Sequence, residues 1–301
     1  MRYCLAFLCL FVTTLALAAP AYDRVIYVTL DGTRYEDSLI QHPDFKALRE
    51  KYAAQLKVYG LKKEMQVASV PTSLPSYESQ MAGEIQECYN NECPRIAVET
   101  IPEELLVRLR LPPHKLAVFA SWSAIDNAWQ HIPGAVYSNT GVTDATDPLT
   151  GLADAFMVKV NALQKIHLYD KNNRYDRYTW QLAWHYFKKY QPTFLWIALQ
   201  DSDEEAHQDH RKAYNNALSF FAKSLDTLFT ELAKEPNKRT LVIVTTDHGR
   251  GKGKNWIKHG IDYTHSRYTW ALVLNGELMP DQNGQYSTLS IRPTVIEALT
   301  S

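Results

Sequence analysis

Six residues of this chain have types and places that invite a chemical reading: Asp31, Asp203, His207, Asp247, His248 and His259. Three carboxylates and three imidazoles make a donor set that suits zinc, with manganese as the alternative. Asp31 directly follows the run VIYVTL at 25–30. Asp203 and His207 stand four apart in DSDEEAH, a spacing that puts both on one helical face. Asp247 and His248 follow LVIVTT at 241–246, and His259 closes the Gly- and Lys-rich stretch GRGKGKNWIKHG. Each piece alone has a plain explanation. An Asp after a strand is usually a turn or helix-capping residue, and Asp-x3-His on a helix is usually a solvated face. The weight lies in their common placement, since metal-type residues follow three separate strand-like runs.

Those runs must position the six residues. VIYVTL (25–30), LAVFAS (116–121), TFLWIAL (193–199) and LVIVTT (241–246) are short, apolar and rich in β-branched or aromatic residues, as buried parallel strands are. YTWALVL (268–274) reads as a fifth strand. Helical patterns fall between them, over 175–190 with Trp180, Leu182, Ala183, Trp184 and Phe187 inward, and over 210–233 with Ala217, Phe220, Phe221, Leu225, Leu228 and Leu232 inward. A closing helix over 291–299 carries Pro293 in its first turn. Alternating strands and helices predict a single α/β domain over 19–301, with a largely parallel central sheet covered by helices on both faces. Functional groups in such sheets gather at the carboxyl ends of the strands. The stretch from about 125 to 173 is poor in periodic pattern and reads as a loop-rich insertion or lid.

The chain of 301 residues is 46% hydrophobic, enough for a sizeable core, and its net charge is −1. The charges are mixed and form no basic stripe, which gives no electrostatic basis for binding a nucleic-acid duplex. Arg2, the apolar run 5–17 and Ala16-Leu17-Ala18 have the pattern of a secretory signal peptide over 1–18. The run is short for a membrane span, and the mature chain has no other candidate. A periplasmic or secreted location follows as the expectation. Cleavage leaves two cysteines, Cys88 and Cys93, which export permits to form a disulfide; free thiols are the alternative.

Taken together, VTLDGTR (28–34), SLPSYESQMAG (73–83), DSDEEAH (201–207), TTDHGRG (245–251) and HG (259–260) resemble, in order, the motifs of the alkaline phosphatase superfamily. The resemblance covers the mature chain and leans to the nucleotide pyrophosphatase/phosphodiesterase branch and its bacterial relatives. It implies an alkaline phosphatase-like fold and two divalent metal ions. One would be held by Asp203, His207 and His259, the other by Asp31, Asp247 and His248. It places the nucleophile, also a ligand of the second ion, on Ser73, with the adjacent Thr72 as the alternative. Asn91, Arg95 and Arg250 are candidates for contacting the non-bridging phosphate oxygens, Asn91 foremost. The implied activity is hydrolysis of a small-molecule phosphate ester, as a phosphodiesterase or phosphatase, through a phosphoseryl intermediate. Sulfatases of the same fold carry Cys/Ser-x-Pro-x-Arg, whereas this chain has Tyr77 at the Arg position. A phosphotransferase or phosphomutase on the same fold is a second alternative. A catalytically silent module that only binds metal or a phosphorylated ligand is the third.

Overall fold

The computed structural model describes residues 20–301, and the signal peptide read over 1–18 lies outside the described residues. Seven strands form one sheet: β1 (Arg24–Leu30), β2 (Leu56–Tyr59), β3 (Leu116–Ala120), β4 (Tyr137–Thr140), β5 (Phe194–Leu199), β6 (Thr240–Thr245) and β7 (Ala271–Leu274). Their spatial order is β2-β7-β6-β1-β5-β3-β4. The β6-β1-β5-β3-β4 block is parallel throughout. β7 runs antiparallel to both β6 and β2, so the fifth strand read from the sequence departs from the parallel pattern and is shorter than the run 268–274.

The helices are α1 (Pro43–Lys51), α2 (Ser73–Ala82), α3 (Ile101–Leu109), α4 (Ile125–Trp129), α5 (Ala155–Ile166), α6 (Asp176–Tyr190), α7 (Asp201–His207), α8 (Arg211–Leu232) and α9 (Ile291–Thr300). Alternation along the strands explains why they cover both faces. Ile26, Val28 and Leu30 of β1 pack in one core with residues of α1, α6 and α8, including Phe45, Phe187 and Phe221. Val25 and Tyr27 of the same strand pack in the other with residues of α2, α3, α4 and α9, including Met81, Leu105, Trp129 and Val295. All seven residues of β1 are buried, which is why its sequence shows no polar alternation. The helices read over 175–190 and 210–233 form as α6 and α8; Trp184 and Phe220 are only half-buried at their margins.

The stretch 125–173 is less loop-like than its sequence reads. It supplies α4, α5 and the edge strand β4, which pairs with β3 from Tyr137 to Thr140. Cys88 and Cys93 are bridged, with their Cα atoms 5.5 Å apart. No helix among the described residues is long and apolar enough to cross a membrane.

Candidate active site

Sheet register brings the first two carboxylates together. Thr29 of β1 lies opposite Thr245 of β6, and continuing that register by two residues sets Asp31 level with Asp247. β5 flanks β1 on the other side. Its chain continues directly into α7, which carries Asp203 and His207. The three neighbouring strands at the sheet centre thus deliver four of the six residues to one edge, and the loop after β6 adds His248 and His259.

The six close into two abutting triplets. In the outer one, His207 Nε2 lies 3.0 Å from Asp203 Oδ2 and 3.0 Å from His259 Nε2, and His259 Nε2 is 4.0 Å from Asp203 Oδ2. In the inner one, His248 Nε2 lies 3.7 Å from Asp31 Oδ1 and 3.4 Å from Asp247 Oδ2. The His248 and His259 rings stack with centroids 3.9 Å apart, so the triplets share a wall. The inner side chains are 0–5% exposed, whereas His207 is 43% exposed and forms the open side of the site.

The groups around the six fix their orientation. His248 Nδ1 lies 2.8 Å from the Gly249 carbonyl and His259 Nδ1 lies 3.2 Å from that of Pro71. A ring nitrogen facing a carbonyl must donate, so both Nε2 atoms present lone pairs to the cluster. The Gly32 N–H donates to Asp247 Oδ1 at 2.9 Å, while Asp247 Oδ2 is buried with no hydrogen-bond partner. Gly32 has φ +59°, and a Cβ there would overlap Asp203 and Arg250, so this turn accepts only glycine.

The electrostatics fit a cation in each triplet. Burial, then the charges of Asp247 and Asp203, push the Asp31 carboxyl well above the usual range. Burial also raises Asp247, to about 6. Burial lowers His248 to about 4, and burial with His248 as neighbour lowers His259 to about 3, so both rings are neutral, as metal ligands must be. Burial acts to raise Asp203, but the Arg250 guanidinium foremost outweighs it and holds its carboxyl well below the ordinary range. Crowded buried carboxylates, an orphaned carboxylate oxygen and two inward lone pairs are the arrangement a divalent ion relieves, and the mixed N/O set suits zinc or manganese.

Ser73 opens α2. Its Oγ lies 3.3 Å from His248 Nε2 and 3.5 Å from Asp31 Oδ1. Thr72 stands at the N-cap with extended backbone. Pro75 falls in the first turn, where its missing N–H costs no helical bond, and Gly83 ends the helix at φ 74°. Asn91, on the disulfide-closed loop, accepts a hydrogen bond from the Leu74 N–H at 2.9 Å and so lies against the turn that bears Ser73. The other two phosphate-contact candidates are turned elsewhere. Arg95 donates to the carbonyls of Asp126 and Gln130. Arg250 is fully buried, donating to Asp203 and to the carbonyls of Trp256 and Ile257. One contact escaped the sequence reading. The Tyr77 hydroxyl donates to Asp31 Oδ2 at 3.0 Å, and its only sequence signal is the four-residue spacing from Ser73 on one helix.

No protein-family model and no curated protein matches this sequence. Solved structures do match its fold, and that fold is the alkaline phosphatase-like α/β fold. Alkaline phosphatase from the Antarctic bacterium TAB5 is 15% identical with a TM-score of 0.54, over 94% of this chain and 99% of that one. Lipooligosaccharide phosphoethanolamine transferase A from Neisseria meningitidis is 10% identical with a TM-score of 0.62, and this chain covers 55% of its length with 93% of its own. A 2-O GAG sulfatase is 12% identical with a TM-score of 0.59, over 92% of this chain and 70% of that one. All three are alkaline phosphatase superfamily proteins. They share the fold without singling out the nucleotide pyrophosphatase/phosphodiesterase branch.

Proposed function

We propose that this chain is an exported two-metal phosphoric ester hydrolase that works through a phosphoserine at Ser73. The observation that carries the reading is the placement of Ser73 Oγ within 3.5 Å of two groups of the inner triplet. When bound, divalent ions would supply the Lewis-acid charge that lowers the serine pKa and offsets charge on the leaving oxygen. Asp203, His207 and His259 would hold one, and Asp31, Asp247 and His248 the other together with Ser73 Oγ.

The chain's own residues account for the rest. Ser73 occupies the first position of α2, so the positive end of a ten-residue helix would face a phosphoryl group bound there. Its oxygen attacks phosphorus in line, and the bond from phosphorus to the leaving alcohol breaks. Water then displaces Ser73 from phosphorus and restores the hydroxyl. The Asn91 Oδ1 is held by the Leu74 N–H, which leaves its Nδ2 to donate to a non-bridging oxygen. Arg250, fully buried and bonded to Asp203, would act on that carboxylate rather than on the substrate. Export agrees with the Cys88–Cys93 bridge, which an oxidising compartment allows to persist.

Transfer to an alcohol would use the same residues, and the exposed His207 side admits either acceptor. Turnover of p-nitrophenyl phosphate and bis-p-nitrophenyl phosphate, with zinc or manganese, tests the reading. Ser73→Ala is expected to lose at least about 10³-fold in rate. Equal inertness of both proteins would sink the enzyme reading and favour a silent binding module. Preference between the substrates sorts diesterase from monoesterase, and an added alcohol that captures the phosphoryl group would reveal transfer.

A further inference from the structure

Each inner carboxylate has one oxygen tied down and one offered to the cluster. For Asp247 the tie is a backbone group: the Gly32 N–H takes Oδ1, and Oδ2 stays unpartnered 3.4 Å from His248 Nε2. For Asp31 it is a side chain. The Tyr77 hydroxyl donates to Oδ2 at 3.0 Å, while Oδ1 faces Ser73 Oγ and His248 Nε2. The phenol is itself held in place. Tyr77 is 1% exposed, and its ring packs against Trp196 with centroids 5.7 Å apart.

We propose that Tyr77 is a positioning residue for the inner metal: its phenol fixes the plane of Asp31 and reserves Oδ1 for the ion shared with Asp247 and His248. A carboxylate free at both oxygens can swing between one- and two-oxygen ligation. Such a swing would move the ion relative to Ser73, one turn back on the same face of the helix. Outer hydrogen bonds of this kind commonly hold metal affinity 10- to 100-fold higher. The inference rests on the two-metal reading above.

The protein supplies its own control. Tyr27 packs on the same Trp196 ring, at 5.8 Å, but its hydroxyl donates to Gln80 and touches no ligand group. Zinc affinity, measured by competition with a chromogenic chelator, separates the two. Tyr77→Phe is expected to bind one of two ions about 10- to 100-fold more weakly, with the second ion unchanged. Tyr27→Phe is expected to bind both as wild type does. Thermal unfolding of the chelator-treated proteins checks that both variants fold. Wild-type affinity for both ions in Tyr77→Phe overturns the proposal, as does equal weakening in Tyr27→Phe, which would mark the effect as packing. A wild-type protein that binds fewer than two ions fails earlier, before any variant is compared, and overturns the two-metal reading as well.

Discussion

Arg250 shows how much a single side chain's surroundings decide its role. From the sequence, a cation beside Asp247-His248 is a natural partner for phosphate. In the fold its guanidinium is fully buried and committed to Asp203 and two backbone carbonyls. Removing one member of a buried pair leaves an uncompensated charge and costs about 3–5 kcal/mol. Arg250→Met is therefore expected to lower stability by that order in denaturant unfolding. A substrate-contacting arginine would behave oppositely, lowering kcat/KM at unchanged stability. The clustering of the six Asp and His residues, by contrast, is legible, because most of them follow strands that lie side by side at the sheet centre. Tyr77 is not, since a tyrosine on an apolar helix face is ordinarily core, and only its hydroxyl's direction distinguishes it.

At the scale of elements, α2 and the loop packed on it form one working unit. The Cys88–Cys93 bridge closes the loop that lays Asn91 on the first turn of α2. Replacing both cysteines with serine frees that loop, at a stability cost of about 2 kcal/mol on the chain-entropy account. The expected outcome is a lower kcat/KM with the zinc content unchanged, checked by kinetics and metal analysis on one preparation. Elements also mark where the sequence falls silent. The central strands β1, β5 and β6 are buried on both faces and announce themselves as apolar runs. β2 (LKVY) and β4 (YSNT) are four-residue edge strands, polar or half-exposed, and carry too little pattern to separate them from loop. The direction of β7 is set by how its connection returns across the sheet, and residue types do not encode it.

The whole molecule's stability should respond to pH through a residue outside the site. Glu78 on α2 is 3% exposed, its Oε1 has no hydrogen-bond partner, and burial raises its carboxyl to about 7. A carboxyl raised in the fold favours folding fully only below its unfolded pKa, near 4.3. That contribution fades as pH climbs from there through about 7. Glu78→Gln is expected to match wild type at pH 4 and to exceed it by roughly 3–4 kcal/mol at pH 8, read from denaturant midpoints.

The order in which the chain is made bears on all of this. Among the described residues β1 is the first strand in chain order and the middle of the sheet, with β5 and β6 as its neighbours. The Gly32–Asp247 bond after it spans 215 residues. Until Thr240–Thr245 has emerged, one hydrogen-bonding edge of a largely apolar strand stands open to any other chain, and open edges are templates for aggregation. Pairing so distant along the chain is also slow to form. Asp31, just past the tip of β1, therefore meets Asp247 only after this late pairing, and a chain broken off before Thr240 is expected to aggregate.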